Sequence, residues 1–118
     1  MITGTGVDIV DITRILEIID NKARFAQRVL TPLEYKRYNE LSGRRQAEFL
    51  AGRYAAKEAF SKAYKTGIGK LSFQDMEVAN DEKGAPYFSN YPKDKGKSHL
   101  SISHTDDTAI AFVILEDE

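Results

Sequence analysis

Apolar and polar residues alternate singly at the start of this chain, then repeat with a helical period. Ile2, Gly4, Gly6 and Asp8 alternate with Thr3, Thr5, Val7 and Ile9, which predicts a strand over Met1 to Val10. Glycine at 4 and 6 allows close backbone approach on one side, and Asp8 falls on that same side. From Ile12 the period is helical. Ile12, Ile15, Leu16 and Ile19 form one stripe, Asp11 is placed to cap it, and Arg14 lies on its polar flank. Asp20 and Asn21 interrupt it. Lys22 to Leu30 predicts a second amphipathic turn or two, with Phe25, Ala26, Val29 and Leu30 inward and Lys22, Arg24 and Arg28 outward. Thr31-Pro32-Leu33-Glu34 combines a capping box with Pro at the first helical position, opening a helix to about Leu41 that Ser42-Gly43 breaks.

Arg44 to Lys65 is rich in Ala, Glu, Lys and Arg and lacks Pro, which predicts one long helix stopped in the αL conformation at Gly67. One stripe carries Phe49, Gly52, Ala56, Ala59, Phe60 and Ala63, small enough for another element to pack near the helix axis. A second carries Glu48, Ala51, Ala55, Glu58, Lys62 and Lys65. Beyond Gly67-Ile68-Gly69 the period changes to two. Strands are expected at Phe73 to Ala79, at Ala85 to Phe88 (an edge, because of Pro86), at Ser98 to Ser103, and at Thr108 to Leu115 as the central strand of a hairpin. Asn80 to Gly84 and His104 to Asp107 read as turns, and Ser89 to Lys97 as a polar loop. Helices followed by antiparallel strands predict an α+β fold: an N-terminal strand and helices, and one long central helix packed on an antiparallel sheet, in a single domain over residues 1–118.

Composition narrows the function classes. No run approaches the roughly 18 apolar residues of a membrane span, and no basic segment precedes an apolar one as in a signal peptide. The absence of cysteine excludes disulfides and thiolate metal sites and favours a cytoplasmic address. Charge is uneven: Asp11 to Lys65 holds 12 Lys and Arg against 7 Asp and Glu, a surplus of +5, and the remainder is acidic. A basic half suggests an acidic partner or a phosphorylated ligand, or else a dipolar surface without a partner. With no overall basic excess, nucleic acid is a poor candidate ligand.

Candidate chemistry is sparse. There is no Walker-type phosphate loop, no dinucleotide fingerprint and no Cys/His pair, and two histidines are too few for a His-based zinc site. Oxygen ligands remain, and the carboxylates of Asp8 and Glu58 suit Mg²⁺ with water and substrate phosphate in the open positions. Lys62, one turn from Glu58, could hold a phosphate oxygen, with Arg53, Ser103, His104 and Thr105 as further donors. Spacing specifies none of these. Glu58 and Lys62 read equally well as a solvated i,i+4 pair. The residues thus allow a Mg²⁺–phosphate site joining the first strand, the long helix and the His104 turn.

Three separated motifs say more. Gly4-x-Gly6-Val7-Asp8-Ile9, Phe49-Leu50-Ala51-Gly52-Arg53-x-Ala55-Ala56-Lys57-Glu58-Ala59-Phe60-Ser61-Lys62-Ala63 and Leu100-Ser101-Ile102-Ser103-His104-Thr105 strongly resemble the holo-acyl-carrier-protein synthases, the short class of 4′-phosphopantetheinyl transferases. The Leu30-Thr31-Pro32-x-Glu34 helix start and the Gly67-Ile68-Gly69 turn look like the family too, so the resemblance covers essentially the whole chain. It implies the single-repeat 4′-phosphopantetheinyl transferase fold. It also implies an enzyme of lipid metabolism and fatty acid biosynthesis that moves phosphopantetheine from coenzyme A to a serine of apo acyl carrier protein and releases adenosine 3′,5′-bisphosphate.

Carried over, Asp8 and Glu58 bind Mg²⁺, and Lys62 neutralises charge on the transferred phosphate. Arg53, His104 and Thr105 hold the adenosine-side phosphate, Ser61, Gly67 and Pro86 lie near the nucleotide, and Ser103 is a further donor for this ligand. The resemblance also implies a homotrimer with its sites at subunit interfaces, and a carrier protein docked on the first helix; Arg14, Arg24 and Arg28, on the outward faces of the two early helical segments, are the candidate contacts. The acceptor of the serine proton, a carboxylate or a metal-bound water, stays open. Two rivals remain: a non-catalytic adaptor for acidic proteins, and a Mg²⁺-dependent nucleotide hydrolase that would consume coenzyme A without a carrier.

Overall fold

Strand β1 (Ile2–Asp11) leads into the helices α1 (Ile12–Asn21), α2 (Phe25–Val29), α3 (Pro32–Asn39) and α4 (Gly43–Tyr64), then strands β2 (Glu77–Asn80), β3 (Pro86–Asn90), β4 (Lys97–His104) and β5 (Thr108–Glu116). The structure is a computed structural model that describes residues 1–117, apart from the side chain of residue 95. β5 is the centre of an antiparallel sheet ordered β1-β5-β4, and β2 and β3 form a separate hairpin. The expected α+β fold, with the long helix on an antiparallel sheet, is observed.

The local signals in the first half act as expected. The Asp11 carboxylate accepts from the backbone N–H of Thr13 and Arg14, and α1 buries Ile12 and Ile15. Thr31 and Glu34 complete the capping box of α3. α1 runs on through Asp20 and Asn21, where the Asn21 amide donates to the Glu17 carbonyl.

The glycines of β1 set the height of the helix over the sheet. Gly4, Gly6 and Val10 are buried beneath α4, and a Cβ on Gly6 would lie 1.9 Å from the Ala59 carbonyl oxygen, one on Gly4 2.0 Å from that of Ala63. The partner surface is the small stripe read from the sequence, with Gly52, Ala56, Ala59 and Ala63 buried beside Phe60. Because the obstacle is helix backbone and not a movable side chain, Gly6→Ala should destabilise the fold by about 3 kcal/mol. A denaturant midpoint near that of the wild type would show that the two elements can separate freely.

Several expectations need correction, the interruption of α1 at Asp20 and Asn21 among them. Phe73 to Ala79 is not one strand: Phe73–Asp75 is a 3₁₀ turn, and β2 begins only at Glu77. Ser72 and Asp75 form a capping box there, so side-chain hydrogen bonds turn a segment that its apolar residues would extend. The αL stop of the long helix falls first on Lys65, with φ 70°, ahead of Gly67 with φ 72°. The N–H groups of Lys65, Thr66 and Gly67 all converge on the Ser61 carbonyl, and the coiling needed to reach it begins at Lys65. Finally, His104 ends β4 and is not part of the turn, and β3 continues to Asn90 into the stretch read as a loop.

The sheet has two apolar faces. Ala109, Ala111, Val113 and Leu115 are buried under α4. On the opposite face Val7 is paired across from Phe112 and Ile9 from Ile110. These four are 47%, 45%, 67% and 36% exposed, a contiguous apolar patch on this chain. No helix among the described residues is long and apolar enough to cross a membrane.

Candidate active site

β1 and α4 bring three of the expected residues together. The Lys62 Nζ donates to the Asp8 Oδ1 at 3.0 Å and to the Val7 carbonyl at 2.9 Å. Glu58, one turn back on α4, opens with Asp8 into a cleft of about 430 Å³ that also takes in Arg14 of α1 and the apolar Ile15, Phe25 and Tyr54. Burial pushes the Glu58 carboxyl above its ordinary range, and the negative charge of Asp8 adds to this. A hydrogen bond from the Tyr54 hydroxyl and the Lys62 ammonium act in the other direction.

The donor set fits a hard divalent cation. Mg²⁺ is commonly held by one or two carboxylates, with water and phosphate completing its shell. Asp8 and Glu58 are two such groups whose mutual repulsion a cation would relieve. Among the described residues no group of three or more His, Cys, Asp or Glu gathers, so a protein-only cage is not what this site offers.

A second cleft, of about 380 Å³, lies elsewhere on α4 and is basic. Arg37, Arg45, Arg53 and His104 line it around Phe49, Gly52 and Asn80. The Arg53 guanidinium sits 4.2 Å over the Phe49 ring and donates through Nη2 to Asn80 Oδ1 at 2.7 Å. Burial lowers the Arg53 pKa, with the Glu34 charge opposing and that of Arg37 adding, and among the described residues its Nε is buried without a hydrogen-bond partner. Such an arrangement suits a phosphate, which would supply the missing acceptors.

The expected residues are thus divided within one chain. Glu58 and Arg53 are five positions apart on α4, about 140° around the helix axis, and the two clefts share no lining residue. The single site pictured from the sequence, joining the first strand, the long helix and the His104 turn, is not formed by one copy. The Thr105 Oγ1 accepts from the N–H of Asp107 and Thr108 within its turn, which leaves its O–H as a donor, and the His104 Nδ1 lies 3.2 Å from the Thr105 carbonyl. Ser103, paired with Ile110, lies on the exposed face of β4. Ser61 is buried and donates to the Glu58 carbonyl. Pro86 pairs with Asn80, which places it beside the Arg53 cleft. Gly67 follows the end of α4. Arg14, Arg24 and Arg28 are exposed, and Arg14 alone lines the Asp8 cleft.

The structure adds residues that sequence reading missed. Arg37 and Arg45 were visible only as part of a basic surplus. Tyr54 fell between motif residues, yet its ring packs 5.6 Å from that of Phe25 and 5.8 Å from that of Phe73. Lys57 is completely buried, and its Nζ donates to Glu34 Oε1 at 2.6 Å. Burial lowers its pKa, with the Glu34 charge opposing.

Comparison with known proteins agrees with the motifs. The model of the 4′-phosphopantetheinyl transferase superfamily matches residues 4–113. A holo-[acyl-carrier-protein] synthase of Enterococcus faecalis is 52% identical over the whole length of both chains, and one of Streptococcus sanguinis is 56% identical over 99% of this chain and 97% of its own. Among solved structures, a holo-(acyl-carrier-protein) synthase from Bacillus anthracis in complex with CoA (3′,5′-ADP) superposes with a TM-score of 0.92 at 46% identity, covering 100% of this chain and 99% of that one. The Helicobacter pylori enzyme in complex with coenzyme A gives 0.81 at 34% identity, over 95% and 99%. This chain belongs to the 4′-phosphopantetheinyl transferase superfamily, within its holo-acyl-carrier-protein synthase family.

Proposed function

We propose that the protein transfers the 4′-phosphopantetheine group of coenzyme A to a serine of an apo acyl carrier protein, in a Mg²⁺-dependent reaction that leaves adenosine 3′,5′-bisphosphate. The observation that carries this reading is the meeting of Asp8 and Glu58 in one cleft rimmed by Arg14, with the Lys62 ammonium bonded to Asp8. The serine oxygen attacks the phosphorus that bears the pantetheine arm, and the bond to the adenosine-side phosphate breaks. Charge builds on the non-bridging and departing oxygens. Lys62, which now rests on Asp8, neutralises part of it as a mobile point charge. Asp8 and Glu58 hold Mg²⁺, which when bound supplies further charge neutralisation and alignment of the pyrophosphate. The Arg53 cleft holds the adenosine-side phosphate, Arg37, Arg45 and His104 adding donors.

One site needs both clefts, which supports a homotrimer. Copies packed through the Val7–Phe112 face would bury the exposed apolar patch, and in this reading the acidic cleft of one subunit works with the basic cleft of its neighbour. A cytoplasmic address and a place in fatty acid synthesis belong to the same reading.

The test is direct. The protein is incubated with coenzyme A, Mg²⁺ and an apo acyl carrier protein, and the carrier is weighed by mass spectrometry. It should gain one phosphopantetheine. Consumption of coenzyme A without a carrier would indicate a hydrolase instead, and an unchanged carrier with intact coenzyme A an adaptor.

Docking of an acidic carrier on α1 gives a further expectation. Arg14 is exposed beside the acidic cleft. Arg14→Glu should raise the KM for the carrier about tenfold, and more at low salt than at high, because surface charges act on encounter and are screened. The KM for coenzyme A should stay unchanged. A parallel rise in both constants would move Arg14 to the nucleotide site or to the fold.

A further inference from the structure

The short helix α2 cannot hold itself. At five residues it is far below the length at which a helix persists alone. Its last intrahelical acceptor is the Ala26 carbonyl, bonded by the Leu30 N–H at 2.9 Å. The next four carbonyls are the ones a helix end leaves unpaired. Every one of them is taken by a side chain from outside the helix. The two N–H groups of Gln74 Nε2 are shared among the carbonyls of Gln27, Arg28 and Leu30, at 3.3, 3.2 and 2.8 Å, and the Lys57 Nζ donates to that of Val29 at 2.7 Å. Three carbonyl oxygens around one end of the Gln74 amide accept only from an NH₂ group, so the orientation of that amide follows from its surroundings.

Both donors are themselves anchored. Gln74 sits in the 3₁₀ turn that the Ser72–Asp75 capping box closes. Lys57 projects from α4 and also reaches Glu34 of α3 and the Phe73 carbonyl. The other Glu34 oxygen accepts from the Val78 N–H of β2. The end of α2 is therefore tied to α3, α4 and β2 through two side chains.

We infer that Gln74 and Lys57 form a clamp on the C-terminal carbonyls of α2 and act as positioning residues that hold Arg24 and Arg28 in register for an acidic carrier. The inference rests on the reading that the carrier docks here, and it adds what keeps that surface in shape. Among the described residues Gln74 makes no hydrogen bond to the lining of the acidic or the basic cleft; its partners are the carbonyls of Gln27, Arg28 and Leu30 and its own turn.

The test uses Gln74→Met in the full chain. Gln74 is exposed, so the fold should survive a change that keeps length and removes the donor. Lys57, fully buried on an ion pair, is the less suitable target because its loss leaves Glu34 unpaired. In Gln74→Met the Arg28 and Leu30 amides should exchange with deuterium about fivefold faster, and the KM for apo carrier should rise about fivefold, the scale of one net hydrogen bond. The KM for coenzyme A and the kcat at saturating carrier should not move. Unchanged exchange, or faster exchange with an unchanged carrier KM, overturns the clamp. Arg24→Ala and Arg28→Ala are measured alongside. If neither raises the carrier KM, the docking reading itself has failed; if they do and Gln74→Met does not, only the clamp has.

Discussion

Glu58→Gln should fold like the wild type and lose Mg²⁺-dependent transfer by on the order of hundredfold or more. The substitution keeps the size of the side chain and an oxygen that can accept from Tyr54, and it leaves the buried alanines of α4 untouched. What it removes is one of the two carboxylates proposed to hold the cation, and with it half of their charge. Stability should not fall. The folded-state pKa of Glu58 lies above its ordinary value, chiefly through burial. A carboxyl raised in this way favours the fold while protonated, at acid pH, and that contribution is lost as pH rises through the folded pKa. At neutral pH and without Mg²⁺ the ionised group is therefore a cost, which the neutral Gln lacks, so in Mg²⁺-free buffer the variant should melt at or above the wild-type temperature. Transfer at the wild-type rate under ordinary Mg²⁺ would remove Glu58 from the site; a collapsed melting transition would make it a structural residue.

The second large effect is expected at the outer face of the sheet. Phe112→Asp should convert the proposed trimer into single chains and reduce transfer on the order of hundredfold, because in the proposed shared site separated copies would no longer hold the two clefts against one substrate. Phe112 is 45% exposed and lies opposite Val7, beside the Ile9–Ile110 pair. Its strand neighbours Ala111 and Val113 fill the core from the other face, so an aspartate at 112 adds charge to the exposed patch without entering the core. Sedimentation should show a single-chain mass, and the circular dichroism spectrum should match the wild type. A variant that stays assembled and active would place the subunit contact elsewhere, and an active monomer would end the shared-site reading.

Much of the fold was legible because its signals are local. Alternation in β1, the Asp11 cap, the Thr31–Glu34 capping box and the period of α4 each involve residues a turn or less apart, where backbone geometry decides the outcome. Where two local signals competed, reading the stronger apolar one misplaced Phe73–Asp75, since the Ser72–Asp75 hydrogen bonds turn the chain there. The pairing of Glu58 with Lys62 along one helix face was open to the same arithmetic. The expectation that these residues carry chemistry came from motif resemblance, because spacing alone left them equivalent to a solvated pair.

Long-range packing settled the rest. Glycine at 4 and 6 announces a close approach, but the Ala59 and Ala63 carbonyls that require it lie more than fifty residues away. Lys57 sits among alanines on a helix and carries no sequence mark of burial. It is buried because Glu34, the Val29 carbonyl and the Phe73 carbonyl, from three other parts of the chain, close around its ammonium. Likewise Asp8 and Arg53, read as members of one site, fall into different clefts. β1 covers one side of α4, and the Asn80 hairpin together with β4 closes over another. Sequence periodicity says which residues share a face of an element. Which faces meet depends on the sum of many weak apolar and polar contacts between distant segments, and that sum exists only in the folded chain.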